Sequence, residues 1–181
     1  MHLRNDKTGY GVLAMSAHWL MLLLLVAVFA TMELNDIFPK GSAERAAMKT
    51  WHFMLGLSVL ALVLLRLLFR LTDTAPVVTP APARWQERAG KSMHLLLYVF
   101  MILMPLLGWL ILSAKGKPIP FFGLSLPALI GKNKETAHWI KDIHETGATV
   151  GYVLIGVHAA AALLHHYVIR DDTLRRMLPR R

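Results

Sequence analysis

Four long apolar segments constrain this chain more than any other feature of its sequence. A helix needs about 20 mostly apolar residues to cross the hydrocarbon core of a bilayer, and there its backbone polar groups have to be paired within the segment. The predicted spans cover about 12–32, 51–71, 93–113 and 144–169 of the 181 residues. We therefore predict an all-α integral membrane protein, a four-helix bundle that forms a single domain over residues 1–181.

The composition agrees with a membrane protein and excludes several kinds of chemistry. Hydrophobic residues make up 55% of the chain and charged residues 17%, with a mean hydropathy of +0.47. The formal charge of +9 favours an anionic partner, and the apolar content favours lipid over nucleic acid. The chain has no cysteine, which excludes disulfides, iron–sulfur clusters and cysteine nucleophiles. Redox chemistry would therefore need a bound cofactor.

Basic residues are divided unequally between the two sides of the predicted bundle. The side with both termini and the second connection carries twelve Lys and Arg, and the other side carries eight. The positive-inside rule then predicts cytoplasmic N- and C-termini. Within the second connection, the proline-rich stretch 72–85 is expected to form an extended strap along the membrane. The eight basic residues of the outer side are Lys40, Arg45, Lys49, Lys115, Lys117, Lys132, Lys134 and Lys141.

Four of the nine histidines fall at matching depths in the spans. His144 and His158 lie in span four, 14 residues apart. This separation is about 21 Å along the axis and about 40° short of four full turns, so both lie on one helix face. Alternating chain direction puts His18 at the depth of His158, and His52 at the depth of His144. The sequence therefore predicts an inner pair, His18 with His158, and an outer pair, His52 with His144.

A coordinating side chain inside a span is costly and indicates function. Two facing neutral imidazoles supply one axial ligand from each side of a haem iron, so two pairs fit two six-coordinate b haems. Such haems have no open iron position and would carry electrons. Taken singly, each histidine also fits a polar residue whose side chain reaches the membrane surface. A zinc site is disfavoured because no HExxH pattern occurs and no acidic residue lies beside them in the membrane.

Several short motifs in combination resemble the bacterial cytochrome b561 family. They are HWL at 18–20, MEL and FPK between 32 and 40, WH at 51–52, HET at 144–146, GVHAAAALLHHY at 156–167 and the tail 171–179. The resemblance implies four helices in the bacterial inner membrane and two b haems with axial ligands matching His18, His52, His144 and His158. It is closest to members that oxidise periplasmic superoxide and reduce ubiquinone, and it implies that activity here.

Two lysines are candidates for the outer side of the site. Lys49 and Lys141 each precede a predicted ligand by three residues. A cationic approach raises the local concentration of a small anion such as superoxide, whereas an ion pair with a haem propionate would serve the cofactor instead. Both interpretations fit the sequence.

Other residues are candidates for a quinone site on the inner side. His165 lies about two turns beyond His158 on nearly the same face, which suits a proton donor to a quinone oxygen. Arg66 and Arg70 suit a quinone headgroup or haem propionates, because arginine contacts carboxylates in a bidentate manner. An anchoring role at the membrane interface fits these three residues equally well, and it also fits His94 and His166.

Small residues follow or surround the histidines of span four, with GATVG at 147–151 and AAAA at 159–162. They would allow a porphyrin to approach the backbone closely, and they would equally allow tight helix packing.

Three functions remain open at the level of sequence. The first is a superoxide:quinone oxidoreductase. The second is a cytochrome subunit that relays electrons between the quinone pool and a partner oxidoreductase, which could dock on the connection 114–143. The third is a non-redox transporter or scaffold whose histidines bind a metal or relay protons, and it predicts a colourless protein.

Overall fold

Four long helices form most of the protein in the computed structural model, which describes residues 3–5, 9–73 and 76–178. Each helix is long and apolar enough to cross a membrane, which confirms the predicted all-α membrane bundle. The helices are α1 Val12–Asn35, α2 Ala43–Thr72, α3 Arg84–Ala114 and α4 Lys134–Leu164, and α4 continues as a π-helical turn over His165–Ile169. The shorter elements are β1 Ile119–Phe121, β2 Leu124–Leu126 and the 3-10 turn Arg175–Met177.

Three of the four helices begin well before the predicted apolar spans. Side-chain caps set the start of two of them, since the Ser42 hydroxyl accepts a hydrogen bond from Arg45 N at 3.2 Å in α2 and the Asn133 side chain accepts one from Thr136 N at 3.0 Å in α4. An N-cap sets the residue at which a helix begins, because it satisfies free backbone N–H groups of the first turn. It does so whatever the polarity of the side chains in that turn. The predicted strap is correspondingly shorter, because α3 already begins at Arg84.

The helices pack in chain order, with α1 on α2, α2 on α3 and α3 on α4. Buried side chains of α1, α2 and α3 form the main core, which contains Ala17, Met21, Val59, Leu62, Val63, Leu97 and Met101. Between α3 and α4, a Cβ added at Gly147 would overlap Met104, and one added at Gly151 would overlap Phe100. Helix packing therefore accounts for these two glycines of the 147–151 stretch.

The described parts of the N-terminal segment, of the C-terminal tail and of the connection between α2 and α3 meet at one end of the bundle, which we call the terminal side. Thr79 N donates to Asp172 Oδ1 at 2.9 Å and joins this connection to the C-terminal tail. The Trp19 indole donates to the carbonyl of Met177 at 2.7 Å and fixes the tail beneath α1. The tail thus closes the terminal side of the bundle.

The opposite end, which we call the hairpin side, carries the antiparallel strands β1 and β2. Leu57, Leu112 and Ile119 form a second core there and join α2, α3 and β1. The Trp109 indole donates to the carbonyl of Pro127 at 2.9 Å. These contacts hold the connection between α3 and α4 against the ends of the helices.

Candidate cofactor sites

Two pairs of histidines face each other across the bundle. The ring centres of His18 on α1 and His158 on α4 are 6.2 Å apart, and we call them the terminal-side pair. The ring centres of His52 on α2 and His144 on α4 are 6.1 Å apart, and we call them the hairpin-side pair. These are the same pairings that the depth argument gives, while their role as haem ligands stays a prediction.

The spacing of both pairs suits a metal ion between the rings. A metal held about 2 Å from one nitrogen of each imidazole separates the two ring centres by about 6 Å. In each pair α4 meets α1 or α2 through imidazole rings, which can both act as neutral axial ligands to the same iron. The residues present therefore fit a haem iron at each of two depths.

The hairpin-side pair already has a hydrogen bond that favours ligation. His52 Nδ1 lies 3.1 Å from the carbonyl oxygen of Val28, so a neutral ring donates from Nδ1 and keeps a free lone pair on Nε2. His144 Nδ1 is buried and has no hydrogen-bond partner in the described part of the chain. A Cβ added at Gly108 would lie 3.7 Å from His144 Cε1, so glycine keeps the space beside this ring open. The sequence analysis did not identify Gly108 or the Val28 carbonyl.

The terminal-side pair has polar neighbours instead. Arg66 Nη2 lies 3.1 Å from His18 Nδ1, and because arginine only donates, the proton of a neutral His18 is on Nε2. Ligation through Nε2 requires Arg66 to release this nitrogen. A third imidazole is close by, since the ring of His94 is centred 5.6 Å from that of His158. Three histidines and an arginine thus meet at this depth.

Arg70 lies close enough to this cluster to repel Arg66 and a protonated His94 electrostatically, but its guanidinium contacts an aromatic ring. Its side chain is exposed, and its guanidinium carbon is 5.8 Å from the centre of the Tyr98 ring. A cation over an aromatic face is attracted by the ring quadrupole. This contact fits a residue at the edge of the bundle.

His165 pairs with an aspartate that the sequence analysis did not identify. His165 Nδ1 is 2.5 Å from Asp171 Oδ2, and Asp171 is only 2% exposed. Burial opposes ionisation of this carboxyl, but hydrogen bonds from His165 and Thr173 outweigh it and hold its pKa below the usual value. Next to this pair, His166 Nδ1 is buried without a hydrogen-bond partner among the described residues.

Basic side chains gather on the hairpin side. Partial desolvation and the positive charges of three neighbouring lysines lower the pKa of the Lys115 ammonium below its usual value, and those neighbours are Lys117, Lys141 and Lys49. Lys49, Lys115 and Lys117 are exposed. Lys141 is partly neutralised, because its Nζ lies 2.6 Å from Glu145 Oε1. The hairpin side thus presents a group of mutually repelling cations near the end of α3.

Comparison with known proteins agrees with this architecture. The family described as prokaryotic cytochrome b561 matches residues 9–180. Cytochrome b561 homolog 1 of Escherichia coli K12 is 41% identical over 164 residues, which are 91% of this chain and 93% of that protein. Probable superoxide oxidase CybB of Yersinia pestis is 35% identical over 172 residues, 95% of this chain and 97% of that protein. Cytochrome b561 homolog 2 of Escherichia coli K12 is 29% identical over 185 residues, 98% of this chain and 95% of that protein. The chain therefore belongs to the prokaryotic cytochrome b561 family, whose members are haem-binding electron-transfer proteins of the bacterial membrane.

Proposed function

We propose that this protein is a superoxide:ubiquinone oxidoreductase, a superoxide oxidase, that works across the bacterial inner membrane with its terminal side in the cytoplasm. Two superoxide anions each lose one electron to become dioxygen, and one ubiquinone gains two electrons and two protons to become ubiquinol. The observation that carries the proposal is the pair of facing imidazoles at each of two depths, with ring centres 6.2 and 6.1 Å apart.

Each histidine pair would hold one b haem, His18 with His158 and His52 with His144. When bound, the two haems supply one-electron transfer between the two sides of the membrane. The Val28 carbonyl orients His52 with Nε2 free, and a ligand fixed in this way is more basic and better aligned. Arg66, which donates to His18 Nδ1 at 3.1 Å, is suited to bind a haem propionate after it releases the ring.

Superoxide would approach the hairpin side, where the lysine group lies. Lys49, Lys115 and Lys117 are exposed, and a concentration of positive charge raises the encounter rate of a small anion. Lys141 contributes less, because Glu145 offsets its charge at 2.6 Å. The relative named probable superoxide oxidase CybB supports superoxide as the substrate.

Ubiquinone would be reduced at the terminal side. A quinone oxygen that gains electrons needs a hydrogen-bond donor and a proton source within about 3 Å. His165 is suited to this role because it lies beyond His158 on α4, is partly exposed, and has its Nδ1 held by Asp171. Arg66, Arg70 and His94 lie on the same half of the bundle and could bind the quinone headgroup.

The test uses the purified protein with superoxide and the soluble analogue ubiquinone-1. We expect a low-spin b-type spectrum that superoxide reduces and ubiquinone-1 reoxidises far faster than the uncatalysed background. A haem protein that quinol reduces but superoxide does not would instead be a relay subunit for a partner oxidoreductase. A colourless protein that binds no haem would contradict the proposal.

A further inference from the structure

The end of α4 is built around His165 in an unusual way. The α-helix gives way to a π-helical turn over His165–Ile169, a form that occurs mostly as single turns at functional sites. The next residue, Arg170, has φ +61 in the left-handed region, which residues with a Cβ rarely adopt. The chain therefore reverses direction within one residue of the turn.

This reversal brings Asp171 back to His165 at two points. Asp171 N donates to the carbonyl of His165 at 3.2 Å, and Asp171 Oδ2 lies 2.5 Å from His165 Nδ1. Asp171 Oδ1 accepts a hydrogen bond from Thr173 N at 2.9 Å. Both carboxylate oxygens are thus used, and the side chain of Asp171 is 1% exposed while that of His165 is 19% exposed.

A buried carboxylate on one ring nitrogen has a definite effect on the other. It holds the Nδ1 proton, fixes the orientation of the ring and stabilises the imidazolium that forms when Nε2 gains a proton. The hydrogen bonds that keep the pKa of Asp171 below its usual value keep this carboxylate charged at neutral pH. Only Nε2 of His165 is then left to exchange protons.

We propose that Asp171 is a positioning residue that holds His165 with Nε2 available as the proton donor to reduced ubiquinone. The proposal rests on the proposed function. For each ubiquinol formed, two electrons come from two superoxide anions, which become dioxygen. His165 Nε2 gives a proton to a quinone oxygen and regains one from cytoplasmic water, twice per quinol. Asp171 stays ionised throughout.

The neighbouring aspartate provides a matched control. Asp172 accepts a hydrogen bond from Thr79 N at 2.9 Å and lies 3.2 Å from Arg176 Nε, so it joins the tail to the connection between α2 and α3. Asp172→Asn weakens the packing of the tail and leaves the His165 contact in place. It therefore separates a positioning role of Asp171 from a general role in folding the tail.

The kinetic test measures two half-reactions on purified haem-loaded protein. We expect Asp171→Asn and His165→Gln each to slow reoxidation by ubiquinone-1 at least about tenfold, through kcat more than KM, because general acid catalysis is lost. Reduction by superoxide should stay within about twofold, and Asp172→Asn should leave both rates within about twofold. Asp171→Glu should recover part of the rate. The double variant should be no slower than His165→Gln, because the two residues act as one unit.

A second readout does not depend on activity. With ¹⁵N-labelled histidine, we expect the wild-type His165 signal, identified by its loss in His165→Gln, to carry its proton on Nδ1, and Asp171→Asn to shift it toward Nε2. Wild-type rates in folded Asp171→Asn, or equal slowing in Asp172→Asn, would overturn the proposal. A neutral wild-type ring with its only proton on Nε2 would overturn it as well. If Asp171→Asn does not fold, Asp171→Glu and the wild-type spectrum decide. A wild-type protein that does not reduce ubiquinone-1 would refute the proposed function instead, and the nitrogen spectrum would still test the contact.

Discussion

The two histidine pairs have nearly the same ring separation, 6.2 and 6.1 Å, but their surroundings differ. Around the hairpin-side pair, His52 donates to a backbone carbonyl and Gly108 leaves space beside His144. Around the terminal-side pair are Arg66 and a third imidazole, His94. One end is thus a simple histidine pair below a cationic surface, and the other contains several groups that can donate or transfer protons.

This difference corresponds to the chemistry that each of the two proposed substrates needs. Superoxide becomes dioxygen by losing an electron, and it needs only attraction and access. Ubiquinone has to gain protons together with electrons, and it needs donors near the oxygen atoms. The asymmetry of the surroundings therefore supports the direction from the hairpin side to the terminal side.

The largest expected effect comes from removing one histidine of each pair. His144→Ala and His158→Ala should each lower the haem-to-protein ratio from about two to about one, since each haem loses an axial ligand. Quinone reduction by superoxide should fall at least about a hundredfold in both variants. The two histidine pairs lie roughly 20 Å apart along the bundle, so one remaining haem does not connect the two sides. In His158→Ala the remaining haem is on the hairpin side, and superoxide should still reduce it. In His144→Ala the remaining haem is on the terminal side, and superoxide should not reduce it. Haem analysis and stopped-flow spectra measure these effects.

His138→Gln is the matched control, because this histidine is on the hairpin side but its side chain is 80% exposed and pairs with Asp142. It should keep both haems and the full rate. A ratio near two in His144→Ala would contradict the assignment of the hairpin-side pair.

The next effect concerns the cationic surface. Replacing Lys49, Lys115 and Lys117 together by Gln should lower kcat/KM for superoxide about tenfold and flatten its dependence on ionic strength, because steering of an anion depends on local charge. The KM for ubiquinone-1 should not change. The control replaces three basic residues in the first turns of α3 on the terminal side by Gln: Arg84, Arg88 and Lys91. It should leave superoxide kinetics unchanged. If kcat/KM for superoxide falls equally in both triple variants, the net charge of the protein determines the rate and the hairpin side has no special role.

A smaller effect should follow from filling the space beside His144. Gly108→Leu adds a side chain where even a Cβ lies 3.7 Å from His144 Cε1, so we expect haem occupancy of the hairpin-side pair to fall by about half. Occupancy of the terminal-side pair should stay constant, as measured by separate redox titration of the two haems. Gly90→Ala is the control, because an added Cβ there has no described atom within 4 Å apart from its chain neighbours and the nearby backbone of its own helix. Unchanged occupancy in Gly108→Leu would show that no cofactor lies next to this residue.

The smallest effect is a pH dependence of superoxide oxidation. Partial desolvation and neighbouring lysines lower the pKa of Lys115 below the ordinary value of 10.5, so its positive charge is lost at a lower pH than that of an ordinary lysine. The rate constant for superoxide should therefore fall about twofold at alkaline pH as this charge is lost. Lys115→Met should remove this step and start from the lower rate. If the fall in rate at alkaline pH persists in Lys115→Met, a different titratable group causes it.

The fold followed from the sequence because four apolar runs leave a chain few alternatives in a membrane. The depths of His18, His52, His144 and His158 also followed, because helix rise and alternating direction set them. The helix starts did not follow, because Ser42 and Asn133 cap polar turns that precede the apolar spans.

Contacts around the site were harder to predict than the depths of the four paired histidines. Asp171 reaches His165 only because the chain reverses at Arg170, where φ is +61, and no periodicity in the sequence indicates such a turn. Gly108 is a single glycine in an apolar helix, and its position opposite His144 depends on how α3 packs against α4. Such contacts depend on tertiary packing, which a single sequence does not specify residue by residue.

The most direct test of the central claim reconstitutes the protein in vesicles with the hairpin side outward, as checked by protease access to the tail. Superoxide is added outside with ubiquinone in the membrane, and pH indicators are placed inside and outside. The account predicts that superoxide outside drives ubiquinol formation and that about two protons per quinol disappear from the interior. Ubiquinol formation with all protons taken from the exterior would contradict the account, as would the absence of any reduction by superoxide added on that side.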